Sequence, residues 1–162
     1  MGGDAGRLDG LLRAAGGSAD RLERLLAASG DNAARLEGLL GQTGGDGVQL
    51  DELFRVTNGN GWTVSARAGP GPIDNALRHF ADHGAEFGAR DPLDYVRQAQ
   101  DFLHNPPGNA LTKVRPNFDV VRFDPTTDTF GVMDANGAPR TMFKPDPAVH
   151  GYPTNLDYFN AQ

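Results

Sequence analysis

The first half of the chain repeats a leucine pattern every 14 residues. The pattern Leu-x-x-Leu-Leu, with Phe replacing the last Leu in the fourth copy, occurs within Arg7–Leu12, Arg21–Leu26, Arg35–Leu40 and Gln49–Phe54. Leucines three and four residues apart lie on one face of an α-helix. Glycine-rich stretches, which end helices, follow the first three copies at Gly16–Gly17, Gly30 and Gly44–Gly45. The sequence therefore predicts four short helices in residues 1–56.

Helices this short need a surface on which to bury their leucines. An isolated helix of about two turns is marginal in water, so the units must pack on each other, on a partner or on the downstream domain. A period of 14 also equals two heptads, but the glycine pairs argue against one continuous coiled coil. We interpret residues 1–56 as a stalk or docking segment without chemistry. Residues 57–73 are rich in Gly and Pro and are predicted to be a linker, which Trp62 attaches to the domain.

The composition excludes several classes of protein. None of the 162 residues is cysteine, which excludes disulfides, thiol nucleophiles and thiolate zinc sites. No apolar run approaches the roughly 20 residues of a membrane span, and the N-terminus lacks the pattern of a classical secretion signal. The net charge of −6 is not typical of a nucleic-acid-binding protein, so RNA binding would depend on a local basic patch.

The second half predicts two helices followed by a sheet. Helical spacing extends over Asn75–Phe87 with Asp74 as the N-cap, and Gly84 is the point at which this helix ends or bends. Asp91 before a proline predicts the start of a second helix, Pro92–His104. Turn residues every eight to ten positions then separate four strands, as in an antiparallel meander: Leu111–Val114, Asp119–Asp124, Thr129–Asp134 and Pro139–Lys144. A last helical turn is predicted at Leu156–Phe159. The fold class is therefore α+β, with short-helix repeats followed by two helices packed on one face of a four-stranded antiparallel sheet.

Two histidines mark the first of these helices. His79 and His83 are four residues apart, so both imidazoles lie on one helix face. Strand alternation leaves open whether Thr141 or Lys144 lies beside them together with Arg122. The spacing of the two histidines also fits a metal site, but without cysteine, and without glutamate between them, we do not assign a metal.

These residue types suit RNA cleavage without a metal or cofactor. Such a reaction needs a base for the 2′-OH, an acid for the leaving 5′-oxygen and cations for the charged phosphorane. Histidine suits the first two roles and Arg or Lys the third, while Thr or Tyr hydroxyls orient the phosphate. The candidate catalytic residues are His79, His83, Arg122, Thr141 and Lys144. The candidate substrate-binding residues are Lys113, Arg115, Arg140 and Tyr158.

Simpler interpretations of the same residues remain open. The helix histidines are alternatively a surface pair, or one of them is a buried, hydrogen-bonded histidine. His104 at a helix C-terminus and His150 in the tail are interpreted as structural. Arg122 and Lys144 are alternatively solvated charges.

Several separated motifs, in order, resemble the C-terminal toxin domains of bacterial polymorphic toxins, which end contact-dependent inhibition and Rhs proteins. The motifs that carry the resemblance are His79–Phe87, Tyr95–Ala99, Asp119–Pro125, Phe130–Val132, Gly137, Arg140–Pro145 and Tyr152–Asn160. The resemblance covers residues 74–162, so residues 1–56 would be a carrier or pre-toxin segment. One position departs from it: Phe118 stands where such domains are expected to have Gly. Since Phe resists positive φ, we expect a different turn there, or a Phe packed on a neighbour or partner.

The resemblance implies a function and its partners. These domains are similar to the barnase, EndoU, colicin D and RelE group of ribonuclease toxins, which often cut tRNA without a metal. The resemblance implies that a histidine on the helix, His79 or His83, acts as acid or base. The strand residues Arg122, Thr141 and Lys144 would assist it. The resemblance also implies delivery by a larger effector into the cytoplasm of a target cell, and a cognate immunity protein bound 1:1 to an otherwise monomeric toxin. The alternatives are a non-catalytic binding or delivery module and a toxin that acts on nucleotides.

Overall fold

The computed structural model describes residues 2–162 and confirms the α+β class. Over these residues eight α-helices accompany one four-stranded antiparallel sheet, and six of the helices precede it. The chain divides into two compact units, residues 1–56 and 57–162. No helix among residues 2–162 has the length and apolar character needed to cross a membrane.

The first unit contains the four helices that the repeat predicts: α1 (Gly2–Ala14), α2 (Ala19–Ala28), α3 (Ala33–Gln42) and α4 (Gly47–Thr57). The last three begin in the same way, since a side-chain oxygen accepts the N–H three residues further on. These capping residues are themselves 14 residues apart: Ser18, Asn32 and Asp46. Each cap satisfies a backbone donor that the first helical turn leaves open.

The leucines of the repeat form the core of the first unit. Leu36, Leu39, Leu50 and Leu53 are fully or almost fully buried, whereas Leu8 in the first helix is 55% exposed. Burying one leucine side chain contributes about 1.5–3 kcal/mol. The repeats of the first unit therefore stabilise one another, as their short helices require.

An ion pair also follows the repeat. Arg7 contacts Glu37 at 2.6 Å. Arg21 and Asp51 occupy the same positions one repeat later and lie 3.6 Å apart. Each arginine therefore reaches the helix two repeats ahead.

The segment predicted as a linker, residues 57–73, is part of the second unit. Trp62 is only 1% exposed. The Thr63 N–H donates to the Pro139 carbonyl at 2.9 Å, and the Asn75 amide donates to the Thr63 carbonyl at 3.0 Å. Gly- and Pro-rich composition indicated flexibility, but these long-range contacts fix the segment.

Helices α5 (Pro72–His83) and α6 (Pro92–His104) correspond to the two predicted helices. The N-cap prediction for α5 is wrong by three residues, since the helix begins after Gly71 and Asp74 lies in its first turn. There the Asp74 carboxylate accepts the Gly71 N–H at 2.9 Å. The helix ends at His83, and a 3₁₀ turn continues it over Gly84–Phe87. A Cβ at Gly84 would lie 2.5 Å from the Phe80 ring, so the close approach requires glycine.

The sheet contains β1 (Leu111–Val114), β2 (Val120–Asp124), β3 (Thr129–Met133) and β4 (Pro139–Phe143), in that order. Helix α6 packs on one face, where the Cβ direction of Gly131 points at Leu103. The Tyr95 hydroxyl of α6 also donates to the Met142 carbonyl at 2.6 Å. Helix α5 lies against α6 and β4.

The C-terminal tail covers the opposite face of the sheet. Two short helices form it, α7 (Pro147–His150) and α8 (Asn155–Asn160). Phe159 of α8 lies over Phe123, with ring centroids 5.8 Å apart, in a core that also includes Val121, Phe130 and Val132. The predicted last helical turn is thus a full part of the core.

The β1–β2 turn contradicts the expectation that Phe118 avoids positive φ. Phe118 has φ +67° and is 69% exposed, so it neither avoids that conformation nor packs on a neighbour. The loop imposes the conformation through three hydrogen bonds. Phe118 N–H donates to the Arg115 carbonyl, Arg115 N–H donates to the Asp119 carbonyl, and Asp119 N–H donates to the Asn117 side chain.

Candidate active site

A cavity of about 420 Å³ lies where α5 ends, between the end of β4 and the tail helices α7 and α8. The fold brings three parts of the second unit together at this point, although they are far apart in the sequence. They are the 3₁₀ turn after α5, the residues after β4, and the folded-back tail. The titratable residues that line the cavity are Asp82, His83, Glu86, Lys144, Asp146, His150 and Tyr158.

His83 and Glu86 form a hydrogen-bonded dyad at the cavity wall. The 3₁₀ turn brings Glu86 back towards the helix end, so that its Oε2 lies 2.6 Å from His83 Nδ1. The other carboxylate oxygen, Oε1, accepts the backbone N–H of Lys144 at 3.0 Å. His83 Nε2 makes no hydrogen bond to any residue in 2–162. A histidine with one nitrogen held by a carboxylate and the other open is arranged for proton transfer.

Lys144 places a cation on the same wall. Its Nζ donates to the Thr127 carbonyl at 2.9 Å and lies 5.7 Å from the centre of the Phe87 ring. The carbonyl takes one of three ammonium donors, which leaves the charge available to an anionic group in the cavity.

His150 lies against Tyr158 in the folded-back tail. The two rings are stacked, with centroids 4.4 Å apart and planes 9° from parallel. His150 Nδ1 accepts the Tyr152 N–H at 3.1 Å, so in the neutral ring Nε2 carries the proton. That nitrogen lies 2.9 Å from the Asn155 amide oxygen, to which it donates.

His79, one helical turn before His83, is in a different environment. Burial, and to a smaller extent the nearby charges of Arg78 and His83, lower its pKa to about 4. Arg78 donates to Nε2 at 3.4 Å, so Nδ1 carries the proton and donates to the Thr141 hydroxyl at 3.1 Å. His79 is therefore neutral at pH 7, with both nitrogens occupied. Its ring centroid lies 5.9 Å from that of His83.

The cavity is not the basic cleft that the strand residues suggested. Three carboxylates line it, and Lys144 is the one permanent cation among its lining residues. Two of these carboxylates have internal partners: Glu86 holds His83, and Asp146 accepts the N–H of Ala148 at 2.9 Å as the cap of α7. Asp82 makes no such hydrogen bond within residues 2–162. Its charge therefore acts directly on whatever the cavity binds.

The structure divides the nine predicted site residues into three groups. The first lines the cavity and consists of His83, Lys144 and Tyr158. The second is the hydrogen-bonded pair next to it, His79 and Thr141. The third lies elsewhere in the fold and consists of Lys113, Arg115, Arg122 and Arg140.

Each residue of the third group has a structural partner. Arg122 donates to the last-turn carbonyl Leu103 at 2.7 Å and to the Thr112 hydroxyl at 2.8 Å. The others contact the C-terminus or the sheet, as Lys113 does with the Asn160 carbonyl, Arg115 with the Gln162 side chain, and Arg140 with Asp119. Arg122 projects from the face of the sheet covered by α6, so it is not brought beside the histidines.

Four titratable cavity residues were not among the predicted site residues: Asp82, Glu86, Asp146 and His150. Glu86 carried a usable signal, since it lies three residues after His83 and beyond a glycine that ends the helix. His150 carried none, because only the fold-back of the tail brings it to the cavity. Among residues 2–162 no group of three or more His, Asp or Glu side chains is arranged to hold a metal ion.

Comparison of the sequence with protein-family models and with curated proteins finds no match. The functional argument therefore depends on the cavity and its residues.

Proposed function

We propose that residues 57–162 form a metal-independent endoribonuclease that cuts RNA, with tRNA as its main substrate, at the cavity beside His83. The observation that carries the proposal is the His83–Glu86 dyad, which leaves His83 Nε2 open on a wall shared with Lys144. A base with an orienting carboxylate and a neighbouring cation are two of the three groups that cleavage by the 2′-OH requires.

The cavity supplies a role for each of its main residues. His83 Nε2 takes the proton of the 2′-OH while Glu86 holds the ring and stabilises the imidazolium that forms. The Lys144 ammonium stabilises the charge that develops on the phosphorane oxygens. His150 is the candidate acid for the leaving 5′-oxygen in its doubly protonated form. Nδ1 must then take a proton in place of the Tyr152 N–H bond, and Nε2 must exchange its bond to Asn155 for one to the substrate. His79 supports the site by holding α5 to Thr141.

The biological part of the proposal follows the resemblance to polymorphic toxin domains. Residues 57–162 would act in the cytoplasm of a target cell after delivery as the C-terminal part of a larger effector. The producing cell would then need an immunity protein that binds the toxin 1:1. Residues 1–56 would belong to the carrier or pre-toxin segment.

The test is cleavage of total bacterial RNA by the purified chain in the presence of EDTA. We expect discrete tRNA-sized fragments with 2′,3′-cyclic phosphate ends. His83→Ala and Lys144→Ala should each lower the rate by about 10²-fold or more. His104→Ala is the matched control, because His104 donates to the Gly137 carbonyl and does not line the cavity. Intact RNA from a folded and toxic protein would refute the ribonuclease proposal.

A second candidate is a toxin that acts on free nucleotides or another small substrate. The acid-lined wall formed by Asp82, Glu86 and Asp146 favours it, since three carboxylates oppose a long polyanion. Nucleotide pools measured in intoxicated cells distinguish the two. Depletion of one nucleotide with intact RNA would support this candidate, and cut RNA with intact pools would exclude it.

A further inference from the structure

The two edges of the sheet differ in how they are covered. At β4, the Pro139 carbonyl accepts the N–H of Thr63, so that end of the edge is paired. At β1, Leu111 is 38% exposed and Val114 is 63% exposed. Open strand edges are normally blocked because they template pairing with another chain. The open edge of β1 therefore needs an explanation.

On the side away from β2, strand β1 presents backbone N–H and C=O groups that no other strand in residues 2–162 pairs with. The Arg115 N–H donates to the Asp119 carbonyl at the end of the β1–β2 pairing. Hydrogen-bonded and non-hydrogen-bonded pairs alternate in an antiparallel ladder. Thr112 and Val114 consequently point their N–H and C=O groups away from β2. Their alternating donors and acceptors match the backbone of an added strand.

An exposed aromatic ring stands at the end of this edge. Phe118 is held at φ +67° with 69% of its surface exposed, a backbone conformation that costs a non-glycine residue stability. No ring contact or cation contact of Phe118 is present among residues 2–162. The hydrogen bonds of the loop hold the strained backbone but leave the ring uncovered. Aromatic side chains are frequent anchors of protein interfaces.

The charge of this hairpin defines its partner. Residues 111–122 contain three basic residues and one acidic residue, in a chain whose net charge is −6. The acidic residue, Asp119, is paired with Arg140 at 3.0 Å, so it does not neutralise Lys113 or Arg115. The edge is therefore complementary to an acidic segment.

We propose that the outer edge of β1, with Val114 and Phe118 as its apolar contacts, binds an extended acidic segment of a protein partner as a fifth strand. Neither residue lines the cavity, so this surface is separate from the catalytic proposal. A second copy of the chain fits poorly, because twofold pairing of two β1 strands centred on Lys113 or on Val114 would place Lys113 opposite Lys113 or Arg115. A nucleic acid fits poorly too, because the outward carbonyls accept hydrogen bonds and cannot donate to phosphate.

The experiment titrates the ¹⁵N-labelled full chain with two synthetic peptides of about eight residues, one alternating Val and Glu and the other Val and Lys. We expect saturable shifts of the Thr112, Val114 and Phe118 amides with the Glu peptide, and slower hydrogen exchange at the outward N–H groups. The Lys peptide should bind at least about tenfold more weakly.

Three variants make the test specific. Val114→Pro removes an outward N–H without removing a bond to β2, which edge strands tolerate, and it should abolish binding. Phe118→Asn should lower the affinity about fivefold or more while the unfolding midpoint stays equal or rises. Val149→Ala is the matched control, since Val149 is an exposed apolar residue on the cavity wall. It should bind the peptide normally.

Several results would overturn the proposal. They are the absence of saturable shifts, equal binding of both peptides, shifts centred on the cavity, and unchanged binding by Val114→Pro. Self-association of the chain through β1, or tighter binding of a short RNA to the same amides, would overturn it as well and assign the edge to another occupant.

Discussion

The environment of His79 predicts that the second unit loses stability in mild acid. The folded-state pKa is about 4, below the ordinary value of 6.5 that the unfolded chain has. The unfolded state therefore binds more protons between these values. The stability that His79 contributes is fully present above pH 6.5 and is lost as the pH falls towards 4.

The size of this loss follows from the shift. One pKa unit corresponds to about 1.4 kcal/mol of free energy of unfolding. The full shift from 6.5 to about 4 therefore corresponds to about 3 kcal/mol. Between pH 7.5 and pH 5 the loss is about 2 kcal/mol by the same linkage. Because His79 is only partly buried, solvent screening reduces this to about 1 kcal/mol.

The substitution His79→Asn removes the titrating group and keeps a donor near the position of Nδ1, where it can reach Thr141. The assay is urea unfolding followed by the emission wavelength of Trp62. This tryptophan is the only one in the sequence and lies in the second unit, with its ring 6.1 Å from that of His79. Wavelength is preferable to intensity, because a protonated imidazole quenches indole fluorescence.

We expect the wild-type free energy of unfolding to fall by about 1 kcal/mol more than that of His79→Asn between pH 7.5 and pH 5. The variant is destabilised at both pH values by lost ring packing, so only the difference in pH dependence is informative. Equal pH dependence in the two proteins would refute the assignment of His79 as a buried neutral histidine.

Three further predictions concern the cavity, the turn and the sheet. Asp82→Asn should lower KM for RNA several-fold, because it removes a carboxylate from the wall that meets the phosphates, whereas Asp82→Glu should not. A higher KM would contradict an anionic substrate. Phe118→Asn should raise the free energy of unfolding in urea by about 1 kcal/mol, since Asn tolerates positive φ better than Phe, and a destabilised variant would contradict the strain argument. Arg122→Leu should cost about 1–2 kcal/mol of stability through its lost bonds to Leu103 and Thr112, with kcat for RNA unchanged. A large loss of kcat in the folded Arg122→Leu variant would show that Arg122 takes part in catalysis.

The repeat was predictable because every part of it is local. Capping, leucine spacing and turn glycines each act within about one repeat, so Ser18, Asn32 and Asp46 recur with the same 14-residue period as the leucines. The strands were predictable for the same reason, since turn residues separate them. Even there the β1–β2 turn was misjudged, because loop hydrogen bonds hold Phe118 at a φ that its side chain disfavours.

The site was only partly predictable because its residues come from distant parts of the chain. The spacing of His79 and His83 correctly places both on one face of α5, but it does not indicate how deeply each side chain is buried. Strand alternation left Thr141 and Lys144 as alternatives, and the structure separates them, with Thr141 on His79 and Lys144 on the cavity. His150 depended on where the folded-back tail packs, which no local pattern in the sequence indicates.

The end of α5 explains why two histidines one turn apart differ so much. His79 lies inside the helix, where Trp62, Arg78 and Thr141 surround it and burial keeps it neutral. His83 is the last residue of the helix, and the turn that begins at Gly84 brings a carboxylate back to its ring. A Cβ at Gly84 would strike the Phe80 ring, so the position at which the turn begins requires glycine. The glycine that weakens the helix pattern therefore lies at the start of the turn that carries Glu86 to His83.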